Sequence, residues 1–157
     1  HDSIGLLIFG AVAERLYGHF RFAAIYILAG LTGSVASYLL NAITVGAGAS
    51  GAIFGVMGAF AAFFVSSRHE LGETARQSLS GIAVLLAINL FFGFATPEID
   101  NWAHLGGFIG GWVVSRLTLS GAGEGRVTVL LALLLLILTA AGFGLSLFHN
   151  WPLILQR

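Results

Sequence analysis

Between Arg21 and Arg68 the chain runs through 46 consecutive residues without a charged side chain. A water-exposed surface is not built from such a stretch, so the solvent it implies is lipid. A bilayer core takes about 20 residues of helix. Forty-six residues are therefore too many for one crossing and suit two crossings with a connection. Gly46, Gly48 and Gly51 interrupt the run near its middle, which predicts helices over Phe22–Leu40 and Ser50–Ser66. Composition agrees. Charged residues make up 9% of the chain and hydrophobic ones 57%, whereas a soluble domain carries roughly 25% charged residues.

The remaining charge gaps predict further spans over Ser78–Gly93, Trp102–Leu119 and Val127–Phe148, with Ile4–Ala13 as the tail of another. Gly93 and Thr96-Pro97 stop the third span. The chain opens at His1 inside an apolar segment without a signal-peptide n-region, so it reads as a fragment lacking its true N-terminus. One domain is expected at 157 residues: a core over 1–119, then a linker and an additional C-terminal transmembrane helix over 120–157. Zero net charge removes a bulk electrostatic case for nucleic-acid binding. The absence of cysteine excludes disulfides and thiolate metal sites. The 22 scattered glycines suit helix packing in lipid. Asn89, mid-span, is expected to be buried and to bond between helices.

All seven basic residues are arginine. With loops on alternate sides, Arg15, Arg21, Arg68, Arg76, Arg116 and Arg126 share one side, and only Arg157 falls on the other. That asymmetry makes the arginine side cytoplasmic. The connections at 41–49 and 94–101 then face outward, with Trp102 and Trp151 near the outer interface.

Ser50 stands at the predicted start of a helix, in Gly48-Ala49-Ser50-Gly51-Ala52-Ile53-Phe54-Gly55. The first N–H groups of a helix lack intrahelical acceptors and carry the positive end of its dipole. A serine there presents its hydroxyl beside oxyanion donors. A capping serine on a small-residue packing face would show the same local sequence. His104, in Asp100-Asn101-Trp102-Ala103-His104-Leu105-Gly106-Gly107, is the one histidine expected inside the bilayer region. Ionisable residues there are costly and are functional hypotheses by default, although a structural histidine between helices is the plainer alternative. Ser50 and His104 lie at similar depth near the outer ends of their helices, which favours a nucleophile–base dyad. Gly51, Gly55 and Gly58, and Gly106, Gly107, Gly110 and Gly111, recur at spacings that line one face of each helix. Two such faces can pack backbone to backbone. His19, His69 and His149 are expected to be solvated or interfacial. Asp100, four residues before His104, suits a helix N-cap or an orienting group. The segment Leu90-Phe91-Phe92-Gly93-Phe94-Ala95-Thr96-Pro97 reads either as a lipid-facing span end or as a lateral gate hinged at Gly93.

Gly48-x-Ser50-Gly51-x-x-x-Gly55, followed 54 residues after the serine by His104 in Ala103-His104-x-x-Gly107-x-x-x-Gly111, resembles the rhomboid family of intramembrane proteases. The Glu14-Arg15-Leu16-Tyr17-Gly18 turn and the aliphatic C-terminal helix extend the match. The resemblance implies an all-α polytopic bundle, a six-helix core with a seventh helix appended. It implies a Ser50–His104 dyad without a catalytic acid, with Ser50 and Gly51 at the oxyanion site, Phe54 packed on the histidine ring, and Gly55, Gly107 and Gly111 in helix packing. No metal or cofactor is implied. The partners implied are transmembrane protein substrates and the lipid bilayer, with no nucleic acid. The expected location is a bacterial inner membrane, with the active site toward the outer face. A catalytically silent member that binds transmembrane clients is the alternative; a channel or transporter fits less well. The family's first helix and the loop after it have no counterpart here. Aligning from Glu14 backward puts the family's oxyanion asparagine near Asp2 and its histidine before His1. An ionised Asp2 would repel an oxyanion, so neither His1 nor Asp2 is assigned a catalytic role.

Overall fold

The computed structural model describes residues 10, 12–40, 49–96 and 99–119, and among them every regular element is helical. Residues 12–17 form α1. They are followed by α2 (His19–Leu40), α3 (Ser50–Ser66), α4 (Arg68–Leu71), α5 (Glu73–Ala95) and α6 (Asn101–Leu119). The expected C-terminal helix, the whole segment 120–157 and most of the upstream tail lie outside the described residues.

Helices α2 and α5 are long and apolar enough to cross a membrane, by length and composition. Helix α3 is apolar but shorter, at 17 residues, or about 26 Å at 1.5 Å per residue. Helix α5 starts ahead of its apolar run. Glu73 in its first turn accepts hydrogen bonds from Arg76 Nε and one terminal nitrogen (both 2.8 Å) and from Gln77 (3.2 Å). Those pairs, and an acidic side chain at a helix N-terminus, favour helix beyond the apolar stretch. Gly72, at φ 51°, ends the short α4 and turns the chain into α5.

The bundle is built on α2, α3 and α6, each packed against the other two. Helix α3 is central, with Gly51, Ala52 and every residue from Phe54 to Ala62 buried. Glycines set the spacing. A Cβ on Gly33 would stand 2.7 Å from the Ala103 carbonyl oxygen, and one on Gly55 3.1 Å from that of Gly107. Methyl groups on Gly107 and Gly111 would fall onto the Gly51 and Gly55 carbonyls, and one on Gly58 onto that of Phe108. Backbone therefore meets backbone along the whole α3–α6 seam, a contact that only small residues permit in lipid.

Toward the other end the packing changes character. Ala13, Tyr17, Ile25, Leu28, Val56, Ala59, Phe60 and Val114 form an apolar cluster. The Tyr17 hydroxyl donates to the Ala59 carbonyl (2.7 Å) and lies 3.0 Å from Ser115 Oγ, which itself reaches the same carbonyl at 3.2 Å. One polar knot thus joins α1, α3 and α6. Helix α5 is peripheral, with only Ala75 and Gly93 buried. Asn89 differs from expectation: it is exposed on α5 and donates to the Leu85 carbonyl of its own helix at 2.8 Å. Among the described residues no helix covers that face of α5, and the amide turns back on a carbonyl of its own helix.

The seam generates a paired prediction. Gly107→Ala and Gly111→Ala should each lower the thermal midpoint in detergent, at a cost of about 1–3 kcal/mol for overpacking. Gly81, whose added Cβ would meet nothing within 4 Å, is the control. Gly81→Ala should be neutral or stabilising by up to about 1 kcal/mol through helix propensity. Equal melting of Gly107→Ala and Gly81→Ala would rule out the backbone contact.

Candidate functional site

The site is assembled where α3 and α6 begin, at the same end of the bundle. In α3, Ala49 occupies the N-cap position with φ −65° and ψ −11°, and its side chain makes no capping bond. Ser50 is the first residue of the helix and is half-buried. The first intrahelical bond runs from the Ile53 N–H to the Ala49 carbonyl (3.0 Å). The N–H groups of Ser50, Gly51 and Ala52 precede it, so they have no acceptor within the helix. Ser50 is thus not the cap of its own helix, and it stands beside three backbone donors.

In α6, His104 is 7% exposed. Its ring stacks on Phe54 of α3, with centroids 4.1 Å apart and planes inclined by 6°. One residue before it, the Ala103 carbonyl lies against Gly51, 3.2 Å from where a Gly51 Cβ would stand. Gly51 follows Ser50 and Ala103 precedes His104, so the seam brings the two segments together at this level. Gly33 of α2 meets the same Ala103 carbonyl and lies near the Gly51 Cα. Gly51, Phe54, Gly55, Gly107 and Gly111 all line this seam.

Asp100 organises the start of α6. Its Oδ1 accepts hydrogen bonds from the N–H groups of Trp102 and Ala103, both at 3.0 Å. Its Oδ2 accepts the hydroxyl of Ser37 on α2. The expected N-cap role is therefore joined by a tie to a second helix. Ser37 is fully buried and was not legible as a site residue. Its one signal is the stripe Ala29, Gly33 and Ser37, small residues four apart on the face of α2 that packs inward.

Asn101 performs a similar service toward α5. Its Nδ2 donates to the Leu90 carbonyl at 3.2 Å. A Cβ on Gly93 would fall onto the Asn101 amide, so that glycine is the seat of the side chain. Phe91, Phe92 and Phe94 point the other way and are 69%, 57% and 79% exposed. The positions of His1 and Asp2 lie outside the described residues.

Fold and site together define a helical membrane protein with a serine and a histidine at the converging starts of two glycine-packed helices. A family model for the rhomboid domain matches residues 2–121, and the chain belongs to the rhomboid family. It is 43% identical to rhomboid protease GluP of Bacillus subtilis (strain 168), over 90% of this chain and 27% of that protein. It is 34% identical to putative rhomboid protease YdcA of the same organism, over 74% of this chain and 57% of that protein. It is also 34% identical to RHOMBOID-like protein 5 of Arabidopsis thaliana, over 75% of this chain and 38% of that protein. The chain thus spans between about a quarter and somewhat over half the length of these relatives. No solved structure matches it significantly.

The Phe54 stack generates a prediction about the imidazole. An aromatic pair contributes about 0.5–1.5 kcal/mol beyond area burial. Phe54→Leu removes the flat face while keeping an apolar side chain. It should slow any reaction that uses His104 by about 2- to 12-fold, a factor converted from that range, and Phe54→Tyr by less. The check is the rate of Ser50 modification by a fluorophosphonate. An unchanged rate in Phe54→Leu would leave the ring as packing alone.

Proposed function

We propose that this chain carries the site of an intramembrane serine endopeptidase that cleaves transmembrane proteins in or near their membrane-spanning segments. The observation that carries the reading is the α3–α6 seam. The Gly51–Ala103 backbone contact and the Phe54–His104 stack bring the serine and histidine segments to one level beside N–H donors that have no acceptor within their helix. Similarity to proteins named as rhomboid proteases supports it.

In this reading His104 takes the hydroxyl proton as Ser50 Oγ attacks the scissile carbonyl. The tetrahedral oxyanion is stabilised by the backbone N–H of Ser50 and its neighbours at the α3 N-terminus. The imidazolium then gives its proton to the departing amine, leaving Ser50 acylated. A water molecule, deprotonated by His104, attacks the ester and restores the serine. The chain's own residues supply nucleophile, base and oxyanion donor.

The membrane arrangement is part of the proposal: a polytopic bundle with an appended C-terminal helix, in a bacterial inner membrane with the dyad toward the outer face. Arg15, Arg21, Arg68, Arg76 and Arg116 are all exposed and stand at the opposite end of the bundle from Asp100 and His104. That separation supports a cytoplasmic arginine end.

Two experiments test this in the full-length protein. Ser50→Ala should abolish cleavage of a model transmembrane substrate without unfolding the protein, and His104→Ala should do the same. The double variant should be little worse, since members of one catalytic unit are not additive. Fluorophosphonate labelling of Ser50 that depends on His104 separates the protease from a silent client-binding relative. Cleavage retained in Ser50→Ala would refute the assignment. For topology, cysteines placed at Arg68 and at Glu98 should react with impermeant thiol reagents from opposite sides, Glu98 from the outside. The reverse pattern would invert the bundle.

A further inference from the structure

Helix α6 is capped by more than a cap requires. A serine or asparagine satisfies the first N–H groups of a helix about as well as an aspartate, and a buried carboxylate is costly unless its oxygens are bonded. Asp100 is nevertheless 8% exposed, with Oδ1 on two backbone N–H groups and Oδ2 on the fully buried Ser37. Its charge therefore invites an explanation beyond capping.

The explanation lies one turn along the helix. The His104 N–H closes its turn on the Asp100 carbonyl at 3.2 Å, and helical side chains lean toward the N-terminus. The imidazole thus leans toward the turn that holds the carboxylate. It also stands near the positive end of the α6 dipole, which disfavours a cation there. Acyl transfer requires that cation, because His104 holds the Ser50 proton until the leaving amine takes it. A fixed negative charge in the first turn offsets the dipole when the imidazolium forms.

We propose that Asp100 is a positioning residue for the dyad, whose carboxylate, anchored to α2 by Ser37, steadies the transient imidazolium of His104. The inference rests on the protease reading given above. The elements packed on α6 bring few other charges to this end. Helix α3 has no ionisable side chain, α2 contributes half-exposed Tyr38, and the ionisable groups of α5 are Glu73 and Arg76 at the far end. Glu98, two residues before Asp100, lies outside the described residues, as do His1, Asp2, His149 and Arg157.

The test uses the full-length protein in detergent, with a transmembrane substrate and a fluorophosphonate as probes. Asp100→Asn keeps an oxygen for the backbone N–H groups and an amide that can donate to Ser37, and removes only the charge. Its thermal midpoint should stay near that of the parent. Its kcat should fall about tenfold with KM unchanged, and the acid side of its kcat/KM profile should move down by about one pH unit. Asp100→Ser, which keeps the cap alone, should show the same displacement and serves if the asparagine variant fails to fold. Ser37→Ala keeps the charge and loses the anchor, so its rate should fall with the acid limb in place. A parental rate and profile in Asp100→Asn would reduce Asp100 to a cap and overturn the inference. No labelling of Ser50 in the parent protein would instead overturn the protease reading, and this inference with it.

Discussion

In lipid, an apolar side chain gains little by moving from solvent to protein, because hydrocarbon lies on both sides of the exchange. What holds helices together is then close packing and the few hydrogen bonds that cross between them. The α3–α6 seam follows from that constraint. Gly51, Gly55, Gly58, Gly107 and Gly111 let carbonyls and Cα atoms of one helix reach the backbone of the other, and dispersion over many such contacts accumulates. The same approach sets the site. Ser50 and His104 flank the Gly51–Ala103 contact and are brought to one level with it, and Phe54 is close enough to lie flat on the imidazole. A seam opened by one methyl group would move the segments apart and loosen that stack, so packing and chemistry share one geometric requirement.

Polar ties appear at both ends of this seam. Tyr17 and Ser115 share the Ala59 carbonyl at one end, while Asp100 and Ser37 join α6 to α2 at the other. Each tie brings together helices distant in sequence, and each is buried, where a hydrogen bond is strengthened and its loss leaves an unsatisfied group. Packing alone leaves helices free to slide along a smooth glycine face. The Tyr17–Ser115 knot pins α6 to α3 and the Asp100–Ser37 tie pins α6 to α2, so two fixed points toward opposite ends of α6 hold it in register with its neighbours.

Much of this was legible in residue spacing. The helix over Ser50–Ser66 follows from the glycine interruption and the charge gap, and the observed α3 has those bounds. The glycine faces that meet across the seam were readable as residues three and four apart. The short α4 and the early start of α5 were not: α4 is a single, mostly polar turn, and α5 begins on local pairing of Glu73 with Arg76 and Gln77 rather than on hydropathy. Ser37, Ser115 and Tyr17 were missed for a different reason. A single hydroxyl in an apolar helix carries no periodic signal, and its importance comes from partners between 42 and 98 residues away. Asn89 shows the reverse error: a polar residue mid-span looked like an interhelical bond, and its own helix satisfied it.

Helix α5 stands apart from this rigid trio, and its attachment near the site is energetically slight. The Asn101 amide makes one side-chain bond to α5, at the Leu90 carbonyl. A typical hydrogen bond contributes about 0.5–1.5 kcal/mol net, whereas a buried polar atom without a partner costs about 1–3 kcal/mol. Asn101 Oδ1 is buried with no hydrogen-bond partner among the described residues, so the gain at Nδ2 is offset on the same side chain. Hydration of that oxygen would remove the penalty if α5 moved away. Few buried contacts and a weak junction are what make a segment locally labile. The residues of the site belong to α3 and α6, so displacement of α5 leaves the seam untouched. In the proposed protease, a site fixed on α3 and α6 beside a loosely held α5 would admit a bulky chain from the bilayer without disturbing the geometry the proposed chemistry needs.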